Sequence, residues 1–395
     1  MKTIPRNVWI LSLISLFTDI ASEMLYPVIP IYLETIGFSI LLIGILEGIA
    51  EATTGLSKGY FGKLSDRLGR RVPFIKIGYS LSAISKPLLA ISSLTIWVFI
   101  ARTLDRLGKG IRTGARDALL SELATFQTKG KIFGFHRSLD SFGAVLGPVL
   151  SIIYLNYFPL DYKTLFLIAF IPGVIAISLS LFLNEKHRLQ KKTRIKYSFF
   201  SFIRYWNESS KEYKKVVSGL LIFALFNSSD VFLLLKAKQS GLDDRVIIGI
   251  YVFYNFIYAL FAFPIGVLSD KIGIRKIFII GLFLFSIVYS GMAFSSELLL
   301  FLILFFIYGL YSASTEGIAK AWISNIVKKE DTATAIGTFS AFQSVCSMIA
   351  SWITGFIWFL FDSTIAFVLI AFITILIICY FIFTTTEINS KELGI

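Results

Sequence analysis

The chain has 395 residues, of which 56% are hydrophobic and only 16% are charged. Soluble domains carry about 45–50% apolar and about 25% charged residues. The composition, with a mean hydropathy of +0.76, therefore excludes an ordinary soluble domain and indicates a membrane protein. A net charge of +13 is compatible with nucleic-acid binding, but the cations lie between apolar runs, and this excludes nucleic acid as a partner.

Twelve apolar runs follow along the chain, and a membrane-spanning helix needs about 20 such residues. The first run follows MKTIPRN and has no cleavage site, so we interpret it as a span rather than a signal peptide. We therefore predict an all-α membrane protein with 12 transmembrane helices. The runs begin near residues 8, 40, 72, 95, 133, 163, 215, 246, 275, 297, 333 and 363.

Lysine and arginine concentrate in every second connection between these runs. Such cations favour the cytoplasmic side of a membrane. The pattern predicts a multi-pass protein of the inner (cytoplasmic) membrane with both termini in the cytoplasm. The basic clusters lie at residues 67–71, 129–131, 186–196, 271–276 and 328–329.

The longest polar stretch, residues 184–214, separates two halves at 1–183 and 215–395. It begins with EKHRLQKKTRIK and continues with SFFSFIRYW. Aromatic side chains among cations suit a helix that lies in the membrane interface. The alternative is a solvated linker.

A turn sequence occurs twice, as GKLSDRLGRR from Gly62 and as GVLSDKIGIRK from Gly266. The glycines allow two helices to meet closely. Asp66 is expected near the positive N-terminal end of another helix. An arginine of the turn is expected to pair with Asp117 or Glu122.

The first turn, G-x-L-x-D-R-x-G-R-R, resembles the signature of the major facilitator superfamily, and the second turn resembles its degenerate copy. The resemblance implies two pseudo-symmetric six-helix bundles around a central cavity that opens alternately to each side. It also implies a cytoplasmic gate formed by these turns. The candidate gate residues are Gly62, Asp66, Arg70, Asp117, Asp270 and Arg275.

Two further segments resemble elements of the same family. RLGKGIRTG, Arg106 to Gly114, lies in span four, and GAVLGP, Gly143 to Pro148, is similar to an element of span five in antiporters. Ser151 and Ile152 stand where that element has a glycine pair. Gly143 and Gly147 also form a small-x-x-x-small face, so helix packing alone explains them equally well.

Charges within the spans indicate chemistry, because each is costly in the hydrocarbon. Asp19 and Glu23 share one helix face, as do Glu47 and Glu51. At about 100° per residue, the charges of span four fall on one stripe that must face protein or water. These charges are Arg102, Asp105, Arg106, Lys109, Arg112 and Arg116.

Two interpretations of these charges remain open. In one, acids and cations form a buried lattice that fixes helix packing. In the other, Asp19, Glu23, Glu47 and Glu51 exchange protons while the cations hold an anionic substrate or displace the proton. Lys86, in span three, has no evident role.

The second half carries fewer charges and more tyrosines within its spans. Superposing the two turns places Asn255 opposite Glu51 and Glu316 opposite Arg112. We predict an amphipathic substrate wall there. Over both halves, the candidate cavity residues are Arg102, Asp105, Arg106, Lys109, Arg112, Asp230, Tyr251, Asn255 and Glu316.

These features predict a secondary transporter rather than an enzyme, since no nucleotide-binding loop and no Cys/His cluster is present. We expect a monomer without cofactor or metal whose partners are a small molecule, protons and the lipid bilayer. Proton-coupled efflux of a drug-like or metabolic compound is the leading hypothesis. The rival is proton-coupled transport of a phosphorylated or carboxylated organic anion bound by the span-four cations. A third is gradient-independent lipid flipping or sensing.

Overall fold

The computed structural model describes residues 4–26, 28–37, 40–185, 203–242 and 244–385, without the side chains of 30, 31, 34, 40–45, 47, 48, 51, 244, 245 and 248. These residues form α-helices, two short 3-10 turns and no strand. The helices of the first half are α1 (Arg6–Glu23), α2 (Val28–Thr35), α3 (Ile40–Leu68), α4 (Val72–Ile91), α5 (Thr95–Leu123), α6 (Lys129–Tyr157) and α7 (Tyr162–Ser180).

The second half repeats this order after a short helix, α8 (Arg204–Glu208). Of the segment SFFSFIRYW predicted to lie in the interface, residues 198–202 fall outside the described residues. The remaining helices are α9 (Lys211–Ala224), α10 (Val231–Gln239), α11 (Asp244–Ile272), α12 (Ile274–Phe294), α13 (Leu298–Asn325), α14 (Thr332–Leu360) and α15 (Ser363–Thr384).

The helices confirm the predicted spans. Eight helical segments of the described chain are long and apolar enough to cross a membrane by length and composition. Span one consists of α1 and α2, and span seven consists of α9 and α10. The sequence did not predict these two interruptions.

The internal repeat extends over the whole helix order. α3 begins at Ile40 and its counterpart α11 at Asp244, 204 residues later, which is the spacing of the two turn sequences. The other helices of the second half begin within three residues of the same spacing. The chain is therefore a tandem repeat of one helical unit.

The chain folds into two compact units. The first comprises Met1–Leu123, Leu139–Glu208 and Lys328–Ala341, and the second comprises Ala124–Ser138, Ser209–Val327 and Phe342–Ile395. The first turns of α6 thus belong to the second unit, and the first turns of α14 belong to the first unit.

A glycine ends the helix at each of the two turn sequences. Gly69 has φ +62° and Gly273 has φ +107°, a backbone region that residues with a Cβ rarely adopt. The chain therefore reverses within three residues between Leu68 and Val72 and within a single residue before Ile274.

A carboxylate caps α7. Asp161 accepts a hydrogen bond from the backbone N–H of Thr164 at 3.2 Å and another from the Tyr154 hydroxyl at 2.9 Å. The bond from Tyr154, followed by those from Thr164, lowers the pKa of Asp161.

Candidate functional site

The first turn sequence binds the N-terminus of α14, and we call this contact the first latch. The Asp66 carboxylate accepts hydrogen bonds from the backbone N–H groups of Ala333, at 3.3 Å, and Thr334. The Thr334 hydroxyl adds a bond of 2.6 Å. A Cβ on Gly62 would lie 2.5 Å from the Ala333 carbonyl oxygen. The predicted contact between Asp66 and a helix N-terminus is therefore present, and it depends on a glycine at position 62.

The cation of this latch is Arg71. Its guanidinium pairs with Asp66 and lies 3.3 Å from Glu122. The sequence placed Arg70 among the gate residues and left open which arginine of the turn pairs with an acid; the Arg70 side chain is exposed in the structure. Asp117, the alternative acid, is buried and pairs with Arg116 at 2.9 Å.

The second turn sequence makes the equivalent contact within the second unit, which we call the second latch. The Asp270 carboxylate accepts hydrogen bonds of 2.7 Å from the backbone N–H groups of Gly130 and Lys131, in the first turn of α6. A Cβ on Gly266 would lie 2.3 Å from the Gly130 carbonyl oxygen. Arg275, which corresponds to Arg71, donates to the carbonyl oxygens of Phe381 and Ile382 near the end of α15.

A buried ion pair connects spans three and four. The Lys86 ammonium lies 2.8 Å from the Asp105 carboxylate and 3.2 Å from the Ser22 hydroxyl. The Arg102 guanidinium is 3.9 Å from the same carboxylate. Lys86, to which the sequence assigned no role, is thus an ion-pair partner of Asp105. A buried lysine needs such a partner.

The remaining stripe cations occupy different environments. Arg112 is buried, bonds to the Ser82 hydroxyl and stacks 4.5 Å from the centroid of the Tyr79 ring. Arg106 is half-buried, and Lys109 is exposed. The Arg112 guanidinium therefore points toward α4.

The predicted acids of span two cannot be placed against these cations. Glu47 and Glu51 lie in α3, but their side chains fall outside the described residues.

The acids of span one adjoin an acid that the sequence analysis did not select. Asp140 of α6 and Glu23 are both like charges close to Asp19. The Ser15 hydroxyl bonds to Asp140 and lies 3.4 Å from the Arg116 guanidinium. In the sequence, Asp140 is a lone aspartate three residues before Gly143, the first glycine of the span-five element. This position was the one sequence feature that pointed to it.

The span-five element packs against α1. A Cβ on Gly143 would lie 2.6 Å from the Leu16 carbonyl oxygen, and one on Gly147 would lie 2.7 Å from the Met24 nitrogen. Ser151, which replaces a family glycine, donates to the Met24 carbonyl oxygen at 2.5 Å. The element therefore brings two helix backbones together, and Ser151 satisfies a carbonyl where α1 ends.

In the second unit, the interruption of span seven places four polar residues between α9 and α10. The Tyr254 hydroxyl donates to Asp230, and the Asn227 amide donates to the Tyr311 hydroxyl at 3.0 Å. Ser228 bonds to the Tyr289 hydroxyl at 2.8 Å. The polar segment is thus held by tyrosines of α11, α12 and α13.

The tyrosine rings themselves form a continuous group. The ring centroids of Tyr251 and Tyr254 are 5.4 Å apart, those of Tyr254 and Tyr308 are also 5.4 Å apart, and those of Tyr308 and Tyr311 are 5.3 Å apart. We call these four residues with Asp230 the tyrosine cluster. It combines one carboxylate with several electron-rich ring faces.

The other predicted residues of this half lie near the cluster or on its helices. Asn255 is buried and donates to the Tyr251 carbonyl oxygen at 3.0 Å. Glu316 is half exposed and pairs with Arg137, whose guanidinium also lies 5.1 Å from the centroid of the Tyr258 ring. Arg137, a cation within span five, was not predicted from the sequence. The described residues contain no group of three or more Asp, Glu, Cys or His side chains that suits a metal ion.

The sequence pattern of the Major Facilitator Superfamily matches residues 11–253 and 216–394. The chain belongs to this superfamily, and it is a multi-pass membrane transporter with twelve transmembrane helices in two six-helix bundles. It is 32% identical over 378 residues to an uncharacterized MFS-type transporter of Methanocaldococcus jannaschii, covering 92% of this chain and 93% of the relative.

Two further comparisons concern proteins with a stated activity. The quinolone resistance protein NorA of Staphylococcus aureus is 24% identical over 125 residues, which is 32% of each chain. The crystal structure of the human organic anion transporter MFSD10 superposes with a TM-score of 0.80 at 16% identity, covering 95% of this chain and 100% of that one. At this identity the structural likeness establishes the fold alone.

Proposed function

We propose that this transporter exports a small drug-like or metabolic compound in exchange for protons. The observation that supports this best is the tyrosine cluster, in which Asp230 lies at the interruption of span seven. Interrupted helices in transporters expose backbone groups where substrate binds. A carboxylate beside aromatic ring faces is suited to an organic cation with an apolar body. The partial similarity to a quinolone resistance protein agrees with such a substrate.

We place the proton-coupling function in the first unit. Its candidates remain Asp19, Glu23, Glu47 and Glu51, four acids on spans one and two. The proton affinity of an acid in a low-dielectric site depends on its contacts, so a conformational change that alters those contacts changes that affinity. Proton binding and release at these acids would therefore select between two conformations.

Alternating access requires contacts that are made in one conformation and broken in the other. The two latches suit this role, because each joins a carboxylate to the backbone N–H groups of a single helix turn. We place both latches, both chain termini and the basic connections on the cytoplasmic side of the inner membrane.

The rival substrate is an organic anion bound by the span-four cations. The contacts of those cations favour export of a cation instead. Arg112 is directed at Ser82 and Tyr79, and Arg102 lies beside Asp105. Arg106 and Lys109 remain the candidates for an anion.

The test uses ethidium, an aromatic cation, and inside-out membrane vesicles with an imposed pH gradient. Wild-type protein is expected to accumulate ethidium only while the gradient is present. Asp230→Asn is expected to weaken ethidium binding about tenfold, because it removes a charge that interacts with the cation. The matched control is Asp362→Asn, since asparagine replaces aspartate well at the N-cap of α15.

Three results would contradict the proposal. Ethidium uptake that ignores the gradient would remove proton coupling and favour lipid flipping or sensing. Wild-type affinity in Asp230→Asn would remove the tyrosine cluster from the substrate site. Selective transport of a fluorescent carboxylate that is lost in Arg106→Ala would establish the organic anion instead.

A further inference from the structure

Helices α11 and α13 lie side by side and run in the same direction. A Cβ on Gly309 of α13 would lie 2.9 Å from the Tyr254 carbonyl oxygen of α11. Four residues further along each helix, Ala313 and Tyr258 pack in one apolar cluster. The two helices are therefore parallel and in register, so a position on one helix identifies the corresponding level on the other.

Two levels of this helix pair carry polar groups. At the first level, the Tyr254 hydroxyl holds Asp230, and the Tyr254 and Tyr308 ring centroids are 5.4 Å apart. The second level carries Tyr258, one turn beyond Tyr254, and Glu316, about two turns beyond Tyr308. At about 1.5 Å per residue, the two levels are separated by about 6–12 Å.

Arg137 of α6 supplies a cation at the second level. Its guanidinium donates hydrogen bonds to the Tyr258 hydroxyl and to the Glu316 carboxylate. It also lies 5.1 Å from the centroid of the Tyr258 ring. The second level therefore joins a cation to a ring and a carboxylate, whereas the first level joins the Asp230 carboxylate to a group of rings.

The backbone of α6 next to Arg137 is fixed against α11. The Ser138 hydroxyl donates to the Ala259 carbonyl oxygen. One turn earlier, a Cβ on Gly134 would lie 2.4 Å from the Ala262 carbonyl oxygen. Close packing of two helices, rather than a loop, therefore sets the position of the guanidinium relative to the first level.

The pair formed by Arg137 and Glu316 is partly solvated although it lies deep in its helices. The Arg137 side chain is 29% exposed and the Glu316 side chain is 50% exposed. Arg137 is eight residues from the start of α6, and Glu316 is nine residues from the end of α13. Charges at that depth do not face lipid, so their exposed parts border on a water-filled cavity. A solvated ion pair contributes little to stability, and its arginine is open to a competing anion.

We infer that Arg137 is a substrate-binding residue and that the transported compound is an aromatic zwitterion, an inference that rests on the proposed substrate site at the tyrosine cluster. The cationic end of the zwitterion lies at Asp230, and its carboxylate replaces Glu316 on the Arg137 guanidinium. The separation of the two levels sets the spacing of its charges.

Glu316 has a defined part in this exchange. Without substrate, its carboxylate neutralises Arg137, which otherwise repels an approaching cation. When a substrate carboxylate takes its place, Glu316 keeps a cation within reach, because Lys320 lies one turn further along the same face of α13. Glu316 is therefore a competitor of the substrate carboxylate, and its removal strengthens binding of the zwitterion.

The test compares two dyes that differ only in one carboxylate. Rhodamine 110 is an aromatic zwitterion at pH 7, and rhodamine 123 is its methyl ester and carries only the positive charge. Fluorescence anisotropy gives the Kd of each dye for the purified protein in detergent at pH 7. Wild-type protein is expected to bind rhodamine 110 more tightly than rhodamine 123.

Two variants are expected to change the affinity for rhodamine 110 in opposite directions. Arg137→Gln is expected to lower it about tenfold, because a charge-assisted hydrogen bond is lost, and to leave rhodamine 123 bound no more weakly than in wild type. Glu316→Gln is expected to raise it about threefold without strengthening rhodamine 123, because only the carboxylate of rhodamine 110 competes for Arg137.

Another arginine–glutamate pair provides the matched controls. Arg204 and Glu208 of α8 are 3.0 Å apart, with side chains 78% and 55% exposed. Arg204→Gln and Glu208→Gln are expected to leave the Kd of both dyes unchanged. Equal affinity of wild type for the two dyes, or an equal loss of both in Arg137→Gln, would overturn the inference. An unchanged or lower affinity of Glu316→Gln for rhodamine 110 would overturn it independently of how Arg137→Gln folds.

The same assay separates this inference from the proposed substrate site. Asp230→Asn is expected to weaken both dyes, since both carry the cation. If it weakens neither dye, or if wild type binds neither, the tyrosine cluster is not the substrate site and both proposals fail. If it weakens both while Arg137→Gln leaves the ratio of the two Kd values unchanged, the substrate site stands and the zwitterion is refuted. No pH gradient is present, so the result is independent of proton coupling.

Discussion

Replacement of Lys86 by methionine tests the ion pair between spans three and four. Lys86 is 3% exposed and Asp105 13% exposed, and their charged atoms are 2.8 Å apart. Removing one partner of a buried pair costs about 3–5 kcal/mol, because the other charge stays buried without compensation. Arg102 remains 3.9 Å from the carboxylate. We therefore expect Lys86→Met to lower the free energy of unfolding by about 3 kcal/mol, the low end of that range.

The double variant separates charge from packing. Lys86→Met with Asp105→Asn removes both charges of the pair, so we expect a loss of only about 1 kcal/mol, smaller than the loss in Lys86→Met alone. The measurement is reversible unfolding in mixed micelles of increasing SDS content. Lys163→Met, at an exposed lysine of α7, is the control. A loss below about 1 kcal/mol in Lys86→Met would refute the reasoning, as would a double variant no better than the single one.

Two further predictions concern the turns and a helix cap. Gly62→Ala and Gly266→Ala each place a Cβ within 2.5 Å of a carbonyl oxygen. Both variants are therefore expected to abolish gradient-driven ethidium uptake. The control is Gly355→Ala, whose Cβ meets no atom nearer than 3.5 Å and which is expected to retain uptake. Because the pKa of Asp161 is lowered, the carboxylate stabilises the fold above its usual pKa of about 3.9, and the effect is lost as pH falls through the lower folded value. Asp161→Ala is thus expected to lower the melting temperature at pH 7 but not at pH 2; an equal decrease at both would contradict this.

The sequence predicted the fold well because its signals are local. Each span is an apolar run of sufficient length, and each turn carries glycine and charge in a fixed order. The contact of Asp66 with a helix N-terminus followed from electrostatics alone. Which arginine of the turn pairs with Asp66 did not follow from the sequence, because the chain turns through the left-handed backbone at Gly69 before it reaches Arg71.

The buried charges were harder to assign, because their partners are distant in sequence. Lys86 lies on one helix, while Asp105 and Ser22 lie on two others. Asp140 is a single acid beside a glycine motif, and nothing in the sequence places it against Asp19. The interruption of span seven was also missed, since LFNSSD contains no proline and the flanking residues are apolar.

The first span of each half is interrupted at the same place. α2 begins at Val28 and α10 at Val231, so the two gaps lie at equivalent places in the repeat. The residues at those gaps differ, since LFNSSD has no counterpart in sequence between α1 and α2. The two halves therefore share the position of the interruption and differ in its chemistry. In the first half it follows the acids of α1, and in the second it presents an aspartate to tyrosines.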